Sequence, residues 1–318
     1  MRAARVFFAI MALGLAVCAA EPAKAAGPSG VVLTVKQLDQ KTQKDLTARI
    51  KKARADNPVV FQRVAKVASQ VPELDKRRRG PFATITLSLK RLGPDALMPM
   101  LEMLAVKGPA RGDMTSTAWT TLRVGLIEAV GIQRDGVAEP VLTKILETDS
   151  DYWVVRAAAE ALGRIGTDSA AAKLVSLAEK PNQRRMAVLS AIGNARRPVV
   201  AQALSKIVAS ATDRRTTRLT IQALGDVGNT WAWKTPALSK TGEGGSVRST
   251  AAKALIDTFV RLYGDKELRV ELQKSILLVD DPATPGLIEA AKSGASPELA
   301  QALDALRQKF EKSPLHKY

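Results

Sequence analysis

The residue types that carry most protein chemistry are scarce in this sequence. Its 318 residues include one histidine, His316, and one cysteine, Cys18. Histidine-based metal sites need several such ligands, and Ser-His or Cys-His nucleophile pairs need a histidine held beside the nucleophile. A single histidine close to the last position excludes both kinds of site. The sequence therefore predicts a protein that is not an enzyme.

Two acidic pairs and a glycine-rich stretch are the other candidates for a ligand site. Asp149 with Asp151, and Asp280 with Asp281, lack the number of ligands that a calcium loop supplies, so helix capping accounts for them better. Residues 242–245, Gly-Glu-Gly-Gly, lack the Gly-x-x-x-x-Gly-Lys-Ser/Thr spacing of a phosphate loop, and a flexible loop accounts for them. No residue is therefore predicted to bind a metal or a cofactor.

Arginine and aromatic residues near predicted helix starts form the one candidate binding surface. The formal net charge is +17, which favours an acidic partner. Trp, Tyr and Arg are the residue types enriched at binding hot spots. If the helices stack in register, these residues form a basic, aromatic rim that binds a protein: Trp119, Trp153, Arg184, Arg185, Arg214, Arg215, Trp231 and Trp233.

A structural role for the same residues stays open. Arginines that recur at one point of a repeat can bond neighbouring repeats, and tryptophans can seal the ends of helical layers. Cations at a helix N-terminus oppose the helix dipole, so their recurrence there has a small cost that either role must offset. The densest basic run, residues 76–79, is interpreted as a solvated surface segment.

A repeated motif sets the predicted architecture. In residues 152–166 apolar side chains recur at helical spacing, and Gly163 and Gly166 are expected to end that helix. The triplet Ala-(Val/Leu/Ile)-Gly recurs in steps of 32, 30 and 32 residues, with a weaker copy 31 residues further on: at 129–131, 161–163, 191–193, 223–225 and 254–256. Helices repeated at this length are typical of a solenoid.

These residues resemble the HEAT-like repeat, in particular the short variety first described in phycobilin lyases. The pattern is carried by an arginine, several alanines and Ala-Leu-Gly-x-Ile-Gly: Arg156, Ala157, Ala158, Ala159, Ala161, Leu162, Gly163, Ile165 and Gly166. The resemblance covers residues 81–310 and is strongest over 120–228. It implies a binding role without a catalytic signature, on an all-α fold: a right-handed α-solenoid of stacked antiparallel helix pairs, HEAT/armadillo-like, with a period of about 30–32 residues.

Turn residues and composition divide the chain into four segments. Residues 1–25 are predicted to be a signal peptide, and 26–80 a basic N-terminal linker with helices. Residues 81–310 are predicted to be the repeat solenoid, in which an irregular insertion at 229–249 takes the place of a helix. Residues 311–318 are predicted to be a tail.

The first 25 residues have the composition of an export signal. Arg2 and Arg5 precede a short apolar run, Val6 to Val17, and small-x-small cleavage sites follow. About a dozen apolar residues fall short of the ~20 that a spanning helix needs, so no transmembrane segment is expected in the mature chain. Cys18 resembles the lipidated cysteine of bacterial lipoproteins, but Val17 departs from that pattern. We therefore expect a periplasmic or secreted protein, with lipid anchoring through Cys18 as the alternative.

The leading hypothesis is an exported scaffold that mediates protein–protein interaction in a bacterial cell envelope. The alternative is binding of an anionic envelope polymer or of nucleic acid through the basic repeat surface, although export argues against nucleic acid. An enzyme similar to the HEAT-like DNA glycosylases is the third hypothesis. It has the least support, because no acidic residue stands out by its context.

Overall fold

The computed structural model describes residues 29–317, with side chains to residue 315. The predicted signal peptide, Cys18 and the side chain of His316 lie outside this part. The described residues form eighteen α-helices and five short 3-10 helices, and they contain no β-strand. In this same part of the chain, no helix has the length and apolar character that crossing a membrane requires.

Five helices precede the repeats: α1 (Gln40–Asp56), α2 (Pro58–Ser69), α3 (Val71–Lys76), α4 (Thr86–Lys90) and α5 (Leu97–Ala105). Ahead of them, residues 29–38 are not the expected linker. The Val31 and Leu33 amides donate to the carbonyls of Met103 and Leu104, at 2.8 and 3.0 Å. Both side chains are buried, so this segment belongs to the core beside α5.

The remaining helices run in chain order to the C-terminal end: α6 (Ser116–Gln133), α7 (Glu139–Thr148), α8 (Tyr152–Ile165), α9 (Asp168–Glu179), α10 (Arg185–Leu189), α11 (Pro198–Ser210), α12 (Arg214–Val227), α13 (Thr230–Trp233), α14 (Pro236–Ser239), α15 (Gly244–Leu262), α16 (Lys266–Val279), α17 (Thr284–Lys292) and α18 (Pro297–Glu311). The 3-10 helices are Val35–Gln37, Pro94–Ala96, Gly136–Ala138, Ile192–Asn194 and Pro314–Lys317.

The repeat helices form two layers, which confirms the predicted α-solenoid. Helices α6, α8, α10, α12 and α16 contact one another in that order and make the first layer. Helices α9, α11, α15 and α17 make the second layer, and α7 packs on α8. One continuous set of buried side chains runs through both layers from Val31 to Phe310. Each repeat thus covers the apolar face of its neighbour, as a solenoid requires.

The glycine of the repeated motif lets first-layer helices approach closely. A Cβ on Gly131 of α6 would lie 2.5 Å from the Cβ of Ala161 of α8. A Cβ on Gly193 would lie 2.8 Å from the carbonyl oxygen of Ala223 of α12. The expectation that Gly163 ends its helix is wrong, because Gly163 lies inside α8. Gly166, with φ +72°, takes the left-handed C-terminal position.

The irregular insertion lengthens a turn and does not replace a helix, which corrects the sequence prediction. Helices α13 and α14 fill the connection from α12 in the first layer to α15 in the second. The triplet at 254–256 therefore lies in the second layer and is not a fifth copy of the motif. Its place opposite Gly225 is taken by Ser275 of α16, whose hydroxyl would lie 2.8 Å from an added Cβ.

Candidate interaction rim

The N-terminal ends of the first-layer helices lie along one edge of the solenoid. Gly131 and Ala161 sit near the C-terminal ends of α6 and α8, so their contact shows that the two helices run parallel. Asp151, Asp213 and Asp265 cap the starts of α8, α12 and α16 by accepting backbone N–H bonds. We call this edge, formed by the first turns of α6, α8, α10, α12 and α16 and the residues just before them, the rim.

Arginines on the rim pair with the carboxylates that cap neighbouring helices. Arg123 of α6 forms ion pairs with Asp149 and, at 3.5 Å, with Asp151 before α8. Arg214 of α12 lies 2.8 Å from the carboxylate of Asp265 before α16. These carboxylates offset the cost of placing a cation at a helix N-terminus. The rim is therefore a mixed ladder of charges that ties adjacent repeats together.

Hydrogen bonding holds two of the capping carboxylates, Asp213 and Asp265, in their charged form. Backbone and side-chain hydrogen bonds from Thr216 hold the pKa of Asp213 below its ordinary value, and the charge of Arg185 adds to this. The backbone N–H of Leu268 and the guanidinium of Arg214 act the same way on the pKa of Asp265. Asp213 and Asp265 are thus ionised at neutral pH.

An aromatic cluster stands on the rim at the start of α8. The Trp153 side chain is 38% exposed. Its ring centroid lies 5.2 Å from that of Phe82 and 5.2 Å from that of Tyr152, both in edge-to-face geometry. The Tyr152 hydroxyl lies 3.3 Å from that of Ser190, which fixes the far side of the cluster. Phe82 was not predictable as a member of this cluster, because no periodicity of the sequence connects it to position 153.

Five other predicted residues lie along the same rim. Trp119 is half-buried in the first turn of α6 and packs on the core. The Nε atoms of Arg184 and Arg185 donate to the carbonyls of Asp149 and Ala178, both at 2.9 Å. Arg214 is paired as described, whereas Arg215 is exposed and its side chain forms no ion pair within the described residues. Among the four arginines predicted for the rim, Arg215 is the one that the fold leaves most available.

Trp231 and Trp233 do not belong to the rim, which corrects the prediction for both. They follow the C-terminal end of α12, a helix of 14 residues that is about 21 Å long, so they lie on the edge opposite Arg214. Trp233 is 6% exposed, and its Nε1 donates to the Val227 carbonyl at 2.8 Å. It therefore serves the core. Trp231 is 41% exposed and carries the Lys234 ammonium 4.6 Å from its ring centroid.

The sequence profile that describes HEAT repeats matches this chain over residues 116–193 and 139–225. Residues 116–225 are HEAT repeats. The structure of human deoxyhypusine hydroxylase in complex with glycerol is similar to this chain, with 15% sequence identity and a TM-score of 0.31. The similarity covers 80% of this chain and 98% of the hydroxylase. The search of curated proteins returned no match.

Arginines recur at one point of the repeats and largely have structural roles: Arg123, Arg156, Arg218 and Arg248. Arg123 bridges two helices, and Arg218 lies 2.7 Å from the Glu267 carboxylate of α16. Arg248 of α15 donates to the carbonyls of Asp280 and, at 3.0 Å, of Val279, at the C-terminal end of α16. Arg156 contacts Glu160 at 3.6 Å within its own helix. These arginines are therefore less available to a partner than the exposed ring of Trp153.

Candidate metal ligands stay apart in the structure. Between residues 29 and 315, no three His, Cys, Asp or Glu side chains come close enough to hold an ion together. Asp149 and Asp151 take part in the rim ladder. Asp281 is buried and accepts the backbone N–H of Ala283 at 3.0 Å, so it caps the turn before α17. Asp151 and Asp281, one member of each acidic pair, thus have capping roles.

Proposed function

We propose that this chain is an interaction scaffold of a bacterial cell envelope, and that its rim binds an acidic protein. The observation that supports the proposal is the exposed Trp153, which two aromatic neighbours hold in place on the rim. A large side chain that is ordered before binding loses little conformational entropy in a complex. Trp153 is therefore the anchor that a partner would cover.

Charge contributes by attracting the partner before contact. The chain carries a formal net charge of +17, and an acidic protein would approach it faster than a neutral one. Because most rim arginines are paired, the charge supplies long-range attraction, and the aromatic cluster supplies the site of contact. Arg215 is the rim cation that would face the partner directly.

The experiment is a pull-down from envelope extract at low and at moderate salt with three baits. The first bait is the unaltered chain, residues 26–318. The second is the same chain with Trp153→Ala and Arg215→Ala on the rim. The third is the same chain with Trp231→Ala and Lys240→Ala on the opposite edge instead. We expect a defined acidic protein that the first and third baits retain and the second loses. If all three baits recover only polyanions that moderate salt removes, the rim is structural and the charge binds anions in general.

The proposed location rests on the first 25 residues. Two arginines precede an apolar run, and the small residues Ala23 and Ala25 lie just before the expected cleavage point. Mass spectrometry of the protein purified from its native cells tests this. A mature chain that begins at Ala26 supports export, a lipidated chain that begins at Cys18 supports the anchored alternative, and a chain that keeps residues 1–25 contradicts both.

A further inference from the structure

Three short helices at the N-terminal end of the stack share one surface pattern. Each exposes an aliphatic side chain, with Lys or Arg three, four or seven positions later on the same helical side. The exposed fractions are 49% for Val59, 38% for Leu74 and 61% for Leu87. Their basic neighbours are Arg63 and Lys66 on α2, Arg77 directly after α3, and Lys90 and Arg91 on and after α4. We call these eight residues the N-terminal face.

The helices that carry this face are neighbours and are firmly packed. Helix α2 contacts both α3 and α4. Across the helix from the exposed residue, Val64 of α2 and Leu89 of α4 are completely buried, and α3 buries Val71 and Asp75. The exposed aliphatic side chains are therefore not displaced core residues, and the core contacts fix the direction in which they point.

The charge on this part of the chain is almost entirely positive. Residues 58–94 contain eight Lys and Arg residues and two acidic residues, a net charge of +6. Both acids are neutralised, since Glu73 pairs with Lys76 at 2.6 Å and Asp75 pairs with Arg78 at 3.1 Å. Within the described residues, four cations of the face form no ion pair: Arg63, Lys66, Lys90 and Arg91.

We propose that the N-terminal face docks the protein on an anionic lipid surface. Single aliphatic side chains can insert among lipid headgroups while neighbouring Lys and Arg side chains reach the phosphates. Unpaired cations add attraction to anionic lipid, which weakens with salt. The face contains neither Trp nor Tyr, two of the three residue types that most often anchor a protein partner. Its chemistry therefore differs from that of the rim around Trp153.

The test is co-sedimentation of residues 26–318 with vesicles of phosphatidylcholine, alone or mixed with phosphatidylglycerol. We expect binding to the anionic vesicles alone. Leu87→Asp should weaken the partition by about tenfold, and Lys90→Glu with Arg91→Glu by about a hundredfold. The matched control is Val270→Asp on α16, where an aliphatic residue that is 48% exposed lies between Lys266 and Lys274 but beside acidic residues. It should bind like the unaltered chain.

Several results would overturn the proposal. They are binding to neither vesicle, equal binding to both, or equal partition of the Leu87→Asp and Val270→Asp variants with both folded by circular dichroism. Capture of an acidic protein by a crosslinker at position 87, without vesicle binding, would assign the face to a protein partner instead. The Trp153→Ala chain should keep its vesicle binding, which separates this proposal from the one for the rim.

Discussion

Single glycines set the distance between neighbouring repeats. In the Ala-x-Gly motif, the hydrogen atom of Gly131 faces Ala161, and that of Gly193 faces Ala223. At these two positions the alanine of one motif packs against the glycine of the motif before it, whereas Gly163 faces Asn194 and Ala195. A Cβ on any of these three glycines would lie within 3.0 Å of a neighbouring atom, so a larger side chain there would separate two helices.

Gly131→Ala tests this pairing. The added methyl group would overlap the Cα and Cβ of Ala161, whose backbone cannot move without shifting α8. We expect the free energy of unfolding to fall by about 1–3 kcal/mol, although alanine by itself favours a helix by about 1 kcal/mol. Chemical denaturation measures the change. Gly264→Ala, where nothing lies within 4 Å, is the control, and equal stability of the two variants would contradict the close contact.

Asp75 joins α3 to the start of α6 through one buried carboxylate. Its Oδ2 accepts hydrogen bonds from the hydroxyls of Thr115, at 2.7 Å, and Thr117, at 2.9 Å. Burial alone would raise the pKa of Asp75. The two threonine hydroxyls and the charge of Arg78 outweigh burial and hold the pKa below its ordinary value.

A lowered pKa makes this contribution depend on pH. The stabilisation is complete above the ordinary carboxyl pKa, and it is lost as the pH falls through the lowered one. At neutral pH we expect Asp75→Asn to reduce the free energy of unfolding by about 1–3 kcal/mol. Denaturation at several pH values should show the difference shrink as the pH falls from about 5 to about 2. A difference that does not change with pH would show that the carboxylate charge contributes nothing.

At the scale of elements, the insertion after α12 is a docked unit. The Trp233 ring packs beneath Gly244, where an added Cβ would lie 3.0 Å from the indole. Its Nε1 bond to Val227 ties α13 back to the end of α12. Trp233, which the sequence predicted to lie on a binding surface, thus anchors the connection between the two layers.

Trp233→Ala and Trp231→Ala form a matched pair of substitutions on this element. We expect Trp233→Ala to lower the free energy of unfolding by about 3–5 kcal/mol, because it leaves a cavity and an unpaired Val227 carbonyl. Trp231→Ala, at an exposed position, should change it by less than about 1 kcal/mol. Thermal or chemical denaturation of the two variants checks this. Similar losses would mean that the insertion does not depend on Trp233.

The sequence predicted the helices themselves better than it predicted which helices pack against one another. The period of Ala129, Ala161 and Ala223 correctly predicts a solenoid, because each helix needs the same apolar face to stack on the next. The order of the two layers was not predictable beyond Val227, since a turn of unusual length shifts the next first-layer helix to Lys266. Short-range patterns do not report this shift.

The sequence predicted only part of the candidate site, because contacts between distant segments are not visible in short-range patterns. Residues at helix starts fall on the rim because parallel helices share an edge, so Trp153 and Arg215 were correctly grouped. Phe82 reaches Trp153 across 71 positions of sequence, and only the packing of the segment before α4 brings it there. Trp231 was misplaced because the insertion follows the opposite end of α12.

For the whole molecule, two surfaces with different chemistry follow from one stack of helices. The rim carries paired arginines and an aromatic cluster, and the N-terminal face carries unpaired cations and single aliphatic residues. The partners that we propose for the two surfaces differ accordingly, a protein for the rim and anionic lipid for the N-terminal face. A scaffold with both would hold its protein partner beside a membrane.

Site-specific photo-crosslinking in the native cell tests the use of the rim most directly. A photoreactive amino acid would replace Arg215 on the rim in one strain and Lys240 on the opposite edge in another. Both residues are exposed, so neither change should disturb the fold. We expect one acidic protein to be crosslinked at position 215, to be absent at position 240, and to be lost when Trp153→Ala is added. Crosslinking of the same protein at position 240, or its persistence with Trp153→Ala, would contradict binding at the rim.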